Sequence, residues 1–262
     1  MIRAFRAEMV KLLRRRVLAV AAIVTVVFAL GAATVVLLAA QPAGPVPVER
    51  GATLESLAEP GGGTRAFTLG ASFTGTFLFV VFVGVVAVEF SRGTFRTLLM
   101  KQPRRLRLLA GKVAALLAFA AAVLAAAQVL TWTASRLIAP SQGIPTAEWT
   151  TGRALVEAAS DYGTVLFWVT GYAVLGTALA VAVRSVPVAL AVGIAWAGPT
   201  EHLVQEAWAP ASDWFPGLLL EAFVAGGTPE VTAGRAFVTV AAYVVLAAGL
   251  AGTSFARRDV TA

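Results

Sequence analysis

Long apolar runs alternate along the chain with short polar connections, and run length decides what each can build. Val17 to Ala40 contains no charged residue. As a helix rising about 1.5 Å per residue it reaches about 36 Å, more than the roughly 30 Å of a bilayer's hydrocarbon core. It is also too long for the apolar core of a cleaved secretory signal. The same pattern predicts spans at 67–88, 113–138, 162–183, 186–207 and 235–255, six in all with 17–40. The fifth is the least regular, because Pro199, Glu201 and His202 cut its apolar run after about Gly198. The fold class is therefore an all-α integral membrane protein, a single transmembrane domain over residues 1–262.

Two shorter segments carry a helical rather than a spanning pattern. In residues 1–16, Ile2, Phe5, Met9, Leu12 and Leu13 fall on one stripe, while Arg3, Arg6, Glu8, Lys11 and Arg14 take the other face. This predicts an amphipathic interfacial helix that turns at Arg14 to Arg16 into the first span. Lipid anchoring alone and an added contact with a partner both fit it. The second segment joins spans two and three. Gly93 interrupts the preceding helix, Thr94 is a candidate N-cap, and Phe95, Leu98 and Leu99 share an apolar face. Pro103 closes the piece, and a further helix runs from about Arg104 through Leu106 and Leu109 into span three. A docking helix and a lipid-facing amphipathic turn both fit this spacing, and a solvated basic loop would not need the apolar triad.

Composition and charge narrow the class. Hydrophobic residues make up 58% of the chain and charged ones 13%, half the usual charged share of about 25% in soluble domains. With no cysteine and one histidine, disulfides, thiolate chemistry and paired-histidine metal motifs are excluded. Of the 21 lysines and arginines, sixteen fall on the side that holds both termini and five (Arg50, Arg65, Arg136, Arg153, Arg235) on the other. The positive-inside rule places both termini in the cytoplasm, for a multi-pass protein of the cytoplasmic (inner or plasma) membrane. The basic clusters abut spans and lack interleaved aromatics, so membrane lipids rather than nucleic acid are the expected polyanion.

The outer connections predict a short helix at Thr53 to Ala58 and another around Trp149 to Ala159, with Trp149 at the membrane interface. Glu201 to Pro229 is apolar but broken by Pro210 and Pro216, neither half long enough to cross, which predicts a re-entrant helical pair between spans five and six. Its carboxylates Glu201, Glu206, Asp213 and Glu221 are expected to face water. His202 beside Glu201 and Glu206 fits an interfacial group better than a metal site, so no metal ligand is assigned. No Gly-x-x-x-x-Gly-Lys-Ser/Thr sequence occurs, and Gly61-Gly62-Gly63-Thr64 lacks the lysine, so the chain has no P-loop. Span interiors hold few polar groups, Thr25, Thr34, Gln128, Thr131, Thr133, Thr170 and Thr177 among them, and no charge at a span centre. That disfavours, without excluding, a secondary ion-coupled transporter of a small solute, which usually keeps an ionisable group there. A serine hydrolase would need Ser72 or Ser254 with His202, and nothing brings them together.

The arrangement Glu89-Phe-x-Arg92-Gly93-Thr94-Phe95-Arg96-x-Leu98-Leu99, followed by Pro103, Leu109 and Lys112, resembles the first intracellular connection of permease subunits of type-2 ATP-binding cassette (ABC) exporters. The amphipathic leader with its basic end and the terminal Phe255-Ala-Arg-Arg-Asp259 are similar too. The resemblance implies a six-span permease that pairs with a second permease, the same chain or a similar one, and sits on a cytoplasmic ABC ATPase. It implies a coupling helix at about Thr94 to Lys101, with Glu89, Arg92, Gly93, Thr94, Phe95, Arg96, Leu98 and Leu99 as the ATPase-coupling interface. ATP and magnesium would be held by the partner, leaving this chain without a cofactor and without enzymatic activity. The cargo implied is amphipathic or hydrophobic: a drug, an antibiotic, a lipid or a lipid-linked glycan. Phe73, Phe77 and Trp196, aromatic faces on spans two and five, are the candidate pathway residues.

Overall fold

The computed structural model describes residues 1–43, 52–101 and 104–257, with backbone alone for 72–78, 96, 101, 197 and 198. Helix dominates, and no β-strand occurs among the described residues. Eleven α-helices are found there: α1 (Ile2–Leu12), α2 (Arg15–Leu38), α3 (Leu54–Ala58), α4 (Gly62–Ser91), α5 (Thr94–Lys101), α6 (Arg105–Ile138), α7 (Gly152–Val183), α8 (Val186–Ala195), α9 (Glu201–Ala207), α10 (Pro216–Val224) and α11 (Ala233–Arg257). Four runs, Arg15–Leu38, Arg105–Gln142, Gly152–Val183 and Ala233–Arg257, are long and apolar enough to cross a membrane. They stand where the first, third, fourth and sixth spans were predicted. The predicted stop at Pro103 and the Pro-rich loop at 44–51 lie outside the described residues.

Several boundaries differ from the sequence expectation, each for a local reason. The leader is helical only to Leu12. Arg14 is extended (φ −65°, ψ 139°), which ends the helical run between α1 and α2. Of the expected outer helix around Trp149 to Ala159, Ala147–Thr150 is a separate 3-10 turn, and the rest, from Gly152, runs on into span four as one helix, α7, because Ser160 and Asp161 supply neither glycine nor proline to stop it. Pro199 does not end the fifth apolar run. A π-helical turn, Trp196–Thr200, links α8 to α9, a register change that absorbs a missing donor. Pro199 has no N–H to give the Ala195 carbonyl, and Thr200 Oγ1 donates to that carbonyl at 2.5 Å instead. The helical run therefore continues from Val186 to Ala207. The helix expected at Thr53 to Ala58 starts at Leu54, where Thr53 and Ser56 form a reciprocal capping box.

The chain divides into two compact units, Leu13–Phe73 with Ala120–Leu166, and Met1–Leu12 with Thr74–Phe119 and Phe167–Ala262. The first is built around Ala33, Leu37, Leu57, Ala66, Ala134 and Trp149. Trp149 is buried there, its indole N–H donating to Leu57 O at 2.8 Å. Gln128 and Tyr162 likewise spend their donors on the carbonyls of Ala158 and Ala121. These bonds satisfy polar groups that an apolar surround would otherwise penalise.

In the second unit, glycines set helix contact. A Cβ on Gly193 would lie 2.6 Å from the Phe79 ring, and one on Gly171 3.0 Å from Leu220. Close approach through small residues is the usual basis of helix packing in lipid. Phe79, Trp168 and Tyr172 meet edge to face, and Phe167, Phe223 and Phe237 cluster between α7, α10 and α11. Glu201 is buried, not water-facing as expected, because its Oε2 accepts the Leu218 N–H at 3.0 Å and so caps α10.

Candidate functional site

The connection between α4 and α6 is shaped by one left-handed residue. Gly93 adopts φ +64°, a conformation costly for any residue with a Cβ. The Arg92 and Gly93 amides close α4 onto the Val88 and Phe90 carbonyls. The chain then turns at once into α5, eight residues long.

Phe95 anchors α5 from within. It is fully buried, its ring 4.5 Å from that of Phe90 and 5.1 Å from that of Phe255, while Phe90 and Phe255 are 5.9 Å apart. Three helices, α4, α5 and α11, thus share one aromatic contact, each pair worth about 0.5–1.5 kcal/mol beyond its area. The Arg184 guanidinium lies 5.4 Å over the Phe90 ring. Arg184 itself holds φ 58° at the end of α7, strained for a non-glycine residue. Arg105 Nη1 points at the Phe255 and Ala256 carbonyls at 3.5 and 3.4 Å, a cation at the C-terminal end of α11. Of the expected interface, Arg92 and Gly93 are exposed, Thr94, Leu98 and Leu99 half-buried, and Phe95 turned inward. Thr97 and Met100, not singled out from sequence, are exposed, Met100 at 75%. The Arg96 side chain lies outside the described ones.

Beside α5 lies a neutral cluster of four charges. Lys112 Nζ, 2% exposed, is 2.6 Å from Glu89 Oε1 and 2.9 Å from Glu8 Oε2. Lys11 Nζ is 2.9 Å from Glu8 Oε2 and 3.3 Å from Glu89 Oε1. Burial alone would raise the Glu8 pKa, but hydrogen bonds from Lys112 and Lys11 outweigh it and hold the carboxyl below its ordinary value. Burial opposes the charge on Lys11, and Glu8 and Glu89 outweigh it, raising the ammonium pKa. Glu89 Oε2 is buried with no hydrogen-bond partner among the described residues.

This cluster sets which face of the leader helix meets the protein. The face of α1 that packs on the protein is Ala4 and Glu8, whereas Ile2 and Leu13 of the apolar stripe are 69% and 53% exposed. Phe5, Met9 and Leu12 are half-buried. The close approach is allowed by Gly111, where a Cβ would lie 2.9 Å from Ala4 Cβ. The Glu8 and Lys11 pair, three residues apart on one helix, was legible in the sequence. Their meeting with Lys112 and Glu89 was not.

The remaining candidates are scattered. Trp196 is 45% exposed and edge-on to Phe215 at 5.4 Å. Phe73 and Phe77 lie on α4 with side chains outside the described ones. His202 Nε2 is 3.2 Å from Glu221 Oε2, and Asp213 pairs with Arg235 at 3.3 Å. No cluster of three metal-type side chains occurs among the described residues. No protein-family model matches this chain, and no curated protein matches it.

Proposed function

We propose that the chain is the permease subunit of an ATP-driven exporter of the ABC kind, crossing the cytoplasmic membrane six times with both termini inside. α4 and the run from Val186 to Ala207 are the second and fifth crossings, the short turn Ala209–Asp213 and α10 form the re-entrant pair, and an amphipathic or hydrophobic cargo is moved outward. α5 is the coupling helix. A separate ATPase chain binds it and supplies the work, and a second permease subunit completes the pathway. The observation that carries this reading is α5 itself, a short helix bounded by Gly93 and pinned by Phe95, with Arg92, Thr97 and Met100 left outward. Such a helix transmits displacement, because its inward anchor is packed while its outer face is left uncovered by the described residues.

The reading revises one role. Phe95 holds α5 to α4 and α11, and the partner meets Arg92, Thr97, Met100 and the exposed parts of Leu98 and Leu99. The test is affinity purification from native membranes of the wild-type chain and of a Thr97→Glu/Met100→Glu variant, with identification of P-loop-bearing chains and measurement of ATP hydrolysis. Wild type is expected to bring down one ABC ATPase, and the variant to lose it while remaining in the membrane. Equal recovery from the variant would overturn the assignment of α5. Export that persists without nucleotide and stops when an ion gradient is collapsed would instead select a secondary transporter.

A further inference from the structure

The docking of α1 onto α6 places two arginines on one cleft, and no described acid pairs with either. Gly111 lets the first turn of α1 close on α6, with Met1 O and Phe5 N near the position a Cβ would take. Arg3 precedes Ala4, the contact residue of α1, and Arg107 lies one turn before Gly111. A cleft of about 350 Å³ results, lined by Met1, Ile2, Arg3 and Arg107. Both charged side chains of its lining are guanidinium. Glu8, the only acid on α1, is committed to Lys112 and Lys11. Among the described residues no carboxylate pairs with Arg3, Arg6 or Arg107. Of the cleft's lining, Met1 and Ile2 expose 58% and 69% of their surface.

We infer that this cleft binds the phosphate headgroup of an anionic phospholipid of the leaflet on which α1 lies. Guanidinium groups match phosphate oxygens in planar, two-point hydrogen bonding. The uncovered Met1 and Ile2 suit the acyl chains that follow a lipid headgroup, whereas a free phosphate would gain nothing from them. The buried cluster and the cleft divide the labour on α1: the Glu8 end is neutralised by protein, and the Arg3 end is neutralised by lipid. Of the apolar stripe, Ile2 takes part in lipid contact at the same point. The inference needs only that the chain is a membrane protein, and does not depend on an ATPase partner.

The experiment uses the full chain in phosphatidylcholine nanodiscs containing increasing phosphatidylglycerol. Lipid retained on release into detergent is read by native mass spectrometry. Wild type is expected to retain phosphatidylglycerol at low occupancy of the bilayer. Arg3→Gln/Arg107→Gln should weaken that retention about thirtyfold, given about one kcal/mol for each basic residue at an anionic surface. Arg136→Gln/Arg153→Gln, which removes two arginines elsewhere, should leave it unchanged. Both sites are exposed, and circular dichroism checks that the variants keep their helices; the single Arg3→Gln variant, expected to weaken retention about fivefold, serves if the double fails. Equal retention in wild type and variant, or displacement of the lipid by inorganic phosphate, overturns the proposal.

Discussion

Replacing Lys112 by methionine keeps the side chain's length and removes the charge that joins two carboxylates. In the native cluster its ammonium is 2.6 Å from Glu89 and 2.9 Å from Glu8, and it is 2% exposed. Removing one partner from a buried pair generally costs about 3–5 kcal/mol, because the other charge stays buried. Here Lys11 remains within 3.3 Å of both acids but is 43% exposed, so the lower figure, about 3 kcal/mol, applies. The loss falls on the contact between α1 and α6, since Glu8 is the only charged residue of α1 that is buried. Hydrogen exchange of the α1 amides in detergent should therefore quicken by about a hundredfold, with the amides of α7 little changed. A Glu8→Gln/Lys112→Met double variant should recover much of the protection, because no carboxylate of α1 is then left unpaired. Unchanged protection in Lys112→Met, or a double variant worse than the sum of the singles, would refute the idea that this cluster holds α1.

Other consequences can be checked alongside. With Glu8 held below its ordinary pKa, the cluster's contribution is complete above the ordinary carboxylate range of about 4 to 4.5 and is lost as pH falls through the lowered folded value. Protection of α1 should thus be flat near neutrality and collapse only in acid. The raised Lys11 pKa predicts no loss on moderate alkalinisation. Phe255→Ala, which opens the three-ring contact around Phe95, should destabilise by about 3 kcal/mol and speed exchange in α5 and at the end of α11. Glu201→Ala leaves the N-terminus of α10 uncapped in a buried place and should cost about 1–3 kcal/mol, measured by thermal unfolding, with Glu201→Gln milder.

The general class was legible because hydrophobic run length needs no tertiary information. No charge interrupts Val17 to Ala40, and the lipid-solvated helix follows from backbone satisfaction alone. Gly93 and the spacing of Phe95, Leu98 and Leu99 likewise marked a separate helix. Periodicity could not say which neighbour that apolar face meets. Phe95 finds Phe90 and Phe255 from the other end of the chain, so a residue that looks like a docking contact is an internal anchor. The same limit hid Lys112, which reads as the last charge before a span and is in fact a buried bridge between α1 and α4. At Pro199 the sequence showed the break in the apolar run within the predicted span 186–207 but not its form, a π-helical turn in which Thr200 Oγ1 donates to the Ala195 carbonyl.

The central claim is that α5 receives work from a cytoplasmic ATPase, and a single engineered thiol tests it. The chain contains no cysteine, so Met100→Cys carries a unique reactive group on the outward side of α5. Labelled with a thiol-directed photo-crosslinker in native membranes, it is expected to react from the cytoplasmic side and to form an adduct with a P-loop-bearing chain. Reaction of that thiol with an impermeant reagent applied outside intact cells, or crosslinking that never captures such a chain, would contradict the account.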